Sequence, residues 1–423
     1  MRLLPCLPLF FSTIHSAEVA VANVDELNAA LRQARPGDTL VLAEGEWRDA
    51  VIRCNAQGTE SMPVTLRAAV PGKTVLTGQS ALRLGGRHVV VEGLWFRNPD
   101  PAAGDTVEFR LDSKNLARHC RVTNCAITMD AGQSARDDKE SRWVGIYGGH
   151  NRLDHCLIEG KVTKGASVVV WLGEGQEAAH MLDHNHFGPR ERLGKNGGET
   201  LRVGDSKTSM SAASCIVEDN LFERCNGEAE CVSNKSCGNT YRRNFFLEVS
   251  GTLTLRHGNA CLVEANTFLG NGANGTGGVR IIGEDHVVRG NHFEKLAGDD
   301  ARCAIVIMQG VPGSALNEYF QVKRARVESN TLLDCEHPIL IGLKDGRGSL
   351  PPLDCSFTSN RVLAPKSAVV EARCDISGVR WQGNVFHGKA PGISVSEGIE
   401  WQPPSIAPVG EPERRGYGPA WRR

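Results

Sequence analysis

Short runs of β-type residues recur along this chain, and most end in one signature: an asparagine, one residue, then a large apolar residue. It appears at Asn185/Phe187, Asn220/Phe222, Asn244/Phe246 and Asn266/Phe268, and again at Asn291/Phe293, Asn330/Leu332, Asn360/Val362 and Asn384/Phe386. Earlier copies replace the asparagine, as in Glu92-Gly93-Leu94-Trp95, Asn124-Cys125-Ala126-Ile127 and His155-Cys156-Leu157-Ile158. From Asn185 onward the asparagines lie 35, 24, 22, 25, 39, 30 and 24 residues apart. A period in the twenties marks a solenoid, and the longer gaps mark insertions in particular coils. The runs are rich in Val, Ile, Thr and Phe with Gly at the corners, which favours strands, and a dense leucine ladder is absent. The pattern predicts an all-β chain wound as a right-handed parallel β-helix. The asparagines stack in a ladder at one corner, and the apolar residue two positions on points into the core.

Both ends depart from the repeat. Asn23 precedes an amphipathic stretch with Glu26 three residues on, a capping box that opens a helix. Leu27, Leu31 and Ala34 give that helix an apolar stripe to lay over the first coil, and Gly37-Asp38 turns the chain into Thr39–Leu42. Such a cap protects the open end of a solenoid. The β-helix is expected over 18–388. Beyond it, 389–423 reads as an irregular tail with Pro403, Pro404, Pro408 and Pro412. Residues 1–17 resemble a signal peptide: Arg2, an apolar run from Leu3 to Ile14 interrupted by Pro5 and Pro8, then His15-Ser16-Ala17. That implies a secreted or periplasmic protein. No other stretch reaches the ~20 apolar residues of a membrane span.

Bulk properties narrow the partners. With 423 residues, 40% of them hydrophobic, a continuous core is feasible. The formal net charge is −1, and nothing in the sequence resembles the broad basic surface of a nucleic-acid binder. A polyanion would have to be met by a local basic stripe. The 14 cysteines show no CxxC zinc spacing, and Cys125, Cys156, Cys215 and Cys261 fall at core positions of the repeat. Buried thiols explain them, with room for one or two disulfides after export.

The candidate chemistry lies between Lys195 and Gly283. Glu228 and Glu230 are two apart, so a strand presents both on one face. Lys235, Arg256 and Arg280 are separated by 21 and 24 residues, about one coil each. Like charges stacked roughly 5 Å apart repel, so a packing role explains them poorly. A site that grips and deprotonates an acidic polymer explains them better. A uronate chain can be cut by β-elimination: a base removes the C5 proton beside the carboxylate, and the bond at C4 breaks. The site must neutralise the carboxylate, supply a base and help the leaving oxygen depart. Calcium, a hard ion, suits the first task. Asn196, Glu228 and Glu230 are oxygen donors for it, with Glu199 as a further ligand or outer partner. Lys235 is the candidate base; an amine serves as one only where neighbouring positive charge favours its neutral form. Arg256 is the candidate acid or charge stabiliser. Arg280 and His257 are candidate substrate binders.

The segments Asn196–Glu199, Gly227–Glu230, Ser233–Ser236, Leu255–Gly258 and Gly277–Gly283 together resemble polysaccharide lyase family 6, which holds alginate lyases and chondroitinase B. The likeness extends over roughly 21–390. It implies a right-handed parallel β-helix and β-elimination assisted by Ca2+. It places metal ligands at Asn196, Glu228 and Glu230, the base at Lys235, the acid at Arg256, and substrate contacts at His257 and Arg280; Glu199 is expected beside them as a further substrate contact. The expected partner is an acidic polysaccharide, alginate ahead of dermatan sulfate, because the overall charge shows no surplus of basic residues for a sulfated polymer. A chondroitin or dermatan sulfate lyase, a uronan C5-epimerase and a non-catalytic glycan-binding β-helix are the alternatives.

Overall fold

The computed structural model describes residues 16–132, 140–173 and 178–422. The expected signal segment lies outside the described residues except for its last two positions. Among the described residues, each complete coil gives one strand to each of three sheets, which contain 14, 14 and 12 strands in the order the chain visits them. One coil runs Ile216–Glu218, Leu221–Glu223, Glu230–Lys235, and each of these strands pairs in parallel with its counterpart in the next coil. This is the parallel β-helix that the repeat predicts.

The repeat signature builds the corner between the first and second sheets. The residue before each asparagine turns the chain through the left-handed region, as at Asp219 (φ 53), Arg243 (φ 53) and Ser359 (φ 56). The asparagine side chain then points inward and is buried. From Asn185 to Asn384, each side-chain amide donates to the carbonyl oxygen of the next asparagine side chain at 2.9–3.0 Å. That oxygen also accepts the backbone N–H of the donating residue, as Asn244 does from Asn220 at 3.1 Å. A polar row inside an apolar core is tolerated only when every group finds a partner, and this ladder meets that condition. Two positions on, Phe187, Phe222, Phe246, Phe268 and Phe293 stack with centroids 4.5–4.8 Å apart. Cys125 and Cys156 occupy the ladder row in earlier coils, where they are buried. The described cysteines are free thiols.

The cap is a helix over Val24–Leu31. Asn23 accepts the N–H of Glu26 at 2.9 Å, Glu26 accepts that of Ala22 at 2.8 Å, and Leu27 and Leu31 are buried on the first coil. No helix among the described residues is long and apolar enough to cross a membrane. At the other end the ladder runs one rung past residue 388: Asn384–Ala390 pairs with Ile399–Trp401. The tail then returns along the outside of the second sheet. Val409 N–H donates to Glu294 at 2.8 Å, Arg414 pairs with Glu223 at 3.0 Å, and Trp421 donates to the Asn124 carbonyl at 2.8 Å. The 39-residue gap between Asn291 and Asn330 is an inserted loop, braced against a second one by Gly310 N–H on the Leu350 carbonyl at 2.8 Å.

Candidate active site

The outer face of the third sheet carries the chemistry. Leu201–Gly204, Glu230–Lys235, Thr252–His257 and Val279–Ile281 are neighbouring rungs, so Lys235, Arg256 and Arg280 stand on three successive coils. The register between the middle two strands shifts twice, at Glu230/Val232 and at Asn234/Lys235. The second shift pairs Lys235 with His257 and leaves Arg256 unpaired. A bulge of this kind re-aims the side chain at the irregular position.

Lys235, Arg256 and Arg280 line a groove of about 670 Å³. Its cations are Arg192, Lys195, Lys235, Arg256, Arg280 and Arg302; its acids are Glu199, Glu228 and Glu230, with Asn196 and Tyr319 beside them. The local basic stripe expected for a polyanion is therefore present despite a net charge of −1. Glu230 ties the wall together. Its carboxylate meets Arg280, accepts the Ser233 hydroxyl at 2.6 Å and lies 3.5 Å from Arg256. Burial alone would push this carboxyl up, but Arg280, Ser233, Arg256 and Lys235 together hold it below the usual range. The Arg256 guanidinium sits over the Tyr319 ring, 4.0 Å from its centroid, a cation–π contact that holds it at the groove.

Glu228 sits where two glycine-bearing turns touch. A side chain at Gly227 would run into the Gly198 carbonyl, and one at Gly198 into the Gly227 carbonyl. That contact lets the N–H groups of Gly197 and Gly198 donate to Glu228 at 2.8 and 3.0 Å. Burial, then Glu199, then Glu230 still push the Glu228 carboxyl up to about 7. One Glu199 oxygen is buried with no hydrogen-bond partner. Among the described residues, no three of His, Cys, Asp and Glu form a ready-made metal cage. The crowded carboxyls and the orphaned oxygen nevertheless fit a hard cation, with the Asn196 amide as a neutral donor at the same rim. Buried nitrogens of Arg256, Arg280 and Arg302 also lack partners. Unsatisfied buried donors around a groove are what a bound ligand would complete.

The structure thus gathers Asn196, Glu199, Glu228, Glu230, Lys235, Arg256 and Arg280 in one place. His257 departs from expectation. It is buried and absent from the groove lining, and burial, Arg256 and Lys235 push its imidazole down to about 3. Alternation along the strand causes this: Arg256 faces outward, so His257, one residue on, turns inward with Leu253 and Leu255. The His257 Nδ1 is buried without a hydrogen-bond partner. Arg192, Lys195, Arg302 and Tyr319 escaped sequence reasoning. The first two follow Pro189-Arg190 in a basic stretch just before Asn196, and Tyr319 lies in the insertion that the 39-residue gap disclosed.

The sequence matches the family description Chondroitinase B over residues 21–349. No curated protein matches it. Among solved structures it is similar to AlyGC, described as an alginate lyase of polysaccharide lyase family 6. The identity is 39% and the TM-score 0.88, over 95% of this chain and 56% of AlyGC. The chain therefore spans little more than half the length of AlyGC. It is also similar to a mannuronic-acid-specific family 6 lyase from human gut microbiota, at 29% identity and TM-score 0.84 over 96% of both chains. A family 6 alginate lyase solved with a trisaccharide shares the fold at 24% identity and TM-score 0.78, over 96% of this chain and 93% of that one.

Proposed function

The chain belongs to polysaccharide lyase family 6, the family of chondroitinase B and alginate lyases, and from that premise we propose that it cleaves a uronate polysaccharide, alginate first, by β-elimination. The observation that carries this is the placement of Lys235, Arg256 and Arg280 on successive rungs of one groove beside three carboxylates. Asn196, Glu228 and Glu230, with Glu199 behind them, would hold calcium. When bound, it supplies a fixed positive charge that pairs with the uronate carboxylate and acidifies the neighbouring C5–H. Arg280, anchored by Glu230, orients the same carboxylate. Lys235 takes the C5 proton. Arg256 faces the leaving oxygen and stabilises the charge that develops there. A guanidinium is a poor proton donor, so the proton itself reaches that oxygen from water.

The likeness to AlyGC and to the mannuronate-specific enzyme supports alginate. A near-neutral total charge does not count against a sulfated polymer, because the groove is basic where the whole chain is not. That groove, together with the family description, keeps a chondroitin or dermatan sulfate lyase as the second reading. A secreted or periplasmic setting goes with either, since both polymers lie outside the cell. The test is to incubate the protein with alginate, dermatan sulfate and pectate and follow the ultraviolet absorbance of new C4–C5 double bonds. Absorbance growing on alginate alone is expected. Growth on dermatan sulfate alone would favour the second reading, and none on any polymer would overturn the lyase assignment.

A further inference from the structure

Beneath the segment that carries Asn196 and Glu199 lies a charge that the proposed chemistry does not use. Arg190 is 3% exposed. It makes no ion pair among the described residues, which is unusual for a buried guanidinium. Its donors go to backbone carbonyls instead: Glu199 at 2.5 Å, Gly165 at 3.0 Å, Thr163 at 3.1 Å and Gly197 at 3.4 Å, with the Ser167 hydroxyl at 3.3 Å. These acceptors belong to corresponding turns of two successive coils, which also meet directly through Gly165 N–H on the Gly197 carbonyl at 2.8 Å. A planar fork is suited to spanning both turns, whereas a single ammonium is not.

The same segment is held from its other side. The N–H groups of Gly197 and Gly198 donate to Glu228, while the carbonyls of Gly197 and Glu199 accept from Arg190. The Arg190 stem also packs under Gly227, where an added side chain would lie 3.0 Å from its Cδ. One buried side chain therefore fixes the backbone between Asn196 and Glu199, and through it the direction of the Glu228 carboxylate. We propose that Arg190 is a positioning residue for the cation site, holding Asn196, Glu199 and Glu228 in the arrangement that takes calcium. This rests on the assignment of that site to calcium. Outer partners that orient metal ligands typically change affinity by about 10–100-fold.

The experiment is calorimetric titration of calcium into the full chain, comparing the unaltered protein, Arg190→Met and Arg190→Lys. Circular dichroism and calcium-free thermal unfolding serve as the check on folding. Arg190→Met is expected to bind calcium about 10–100-fold more weakly, with Arg190→Lys in between. Turnover measured against calcium concentration should shift to higher calcium and reach nearly the same plateau, which a general loss of structure would not produce. A folded Arg190→Met with unaltered affinity overturns the positioning role alone. Should Arg190→Met fail to fold, Arg190→Lys decides, and a binding curve superimposed on that of the unaltered protein overturns the role. An unaltered protein that takes up no calcium overturns the metal assignment, and this inference with it.

Discussion

Glu228 offers a prediction that does not depend on substrate. In the calcium-free protein its carboxyl is raised from 4.5 to about 7, by burial first and then by Glu199 and Glu230. Between those values the folded protein holds a proton that the unfolded chain has released. Stability therefore falls as pH rises through that window and is lowest above about 7. At ~1.36 kcal/mol per unit, the loss is about 3 kcal/mol, enough to move the unfolding midpoint by several degrees. Calcium reverses it, because a bound cation keeps the carboxylate ionised, and its stabilising effect should fade as pH drops from 8 to 5. The assay is thermal unfolding of calcium-depleted and calcium-loaded protein across that range, with Glu228→Gln as reference. Other buried groups titrate nearby: Asp105 is raised to about 6 and Lys161 lowered to about 6. The quantity to read is thus the difference between the unaltered protein and Glu228→Gln. A difference that stays flat from pH 5 to 8 would refute the reasoning, as would a calcium effect equal at both ends.

Other outcomes follow from the same geometry. Arg256→Ala should lower elimination by about 10²–10³-fold with an unchanged circular dichroism spectrum, and a variant that retains full turnover would remove Arg256 from the chemistry. Asn244→Ala breaks the ladder where Asn220 donates to Asn244 and Asn244 donates to Asn266. Each buried group left unpaired costs about 1–3 kcal/mol, so the urea midpoint should fall clearly; no change would show that water repairs the gap. Ending the chain after Trp401 removes the tail from the second sheet, so unfolding should come at lower temperature while turnover persists, because the groove lies on the third sheet. Lost turnover in a folded truncation would link the tail to the site.

Where coils are short and regular, spacing in the chain maps directly onto position in the structure. Glu228, Glu230, Lys235, Arg256 and Arg280 lie in that part, between asparagines 24, 22 and 25 residues apart, and they share one wall. The asparagine and phenylalanine rows were legible for the same reason. Tyr319 was not, because an insertion has no register to read. His257 lies on the opposite face of its strand from Arg256, and that separation was legible in the adjacent positions 256 and 257. The tail looked irregular because it docks through scattered contacts, such as Arg414 on Glu223 and Trp421 on Asn124, which have no period. Net charge carries no information about the polymer here, because six cations concentrated in one groove leave a near-neutral total untouched.

The most direct measurement is the rate at which Lys235→Ala forms unsaturated uronate from an alginate it still binds. The account predicts that double-bond formation all but disappears while oligosaccharide affinity stays within a few-fold of the unaltered protein. Undiminished double-bond formation by Lys235→Ala would contradict it.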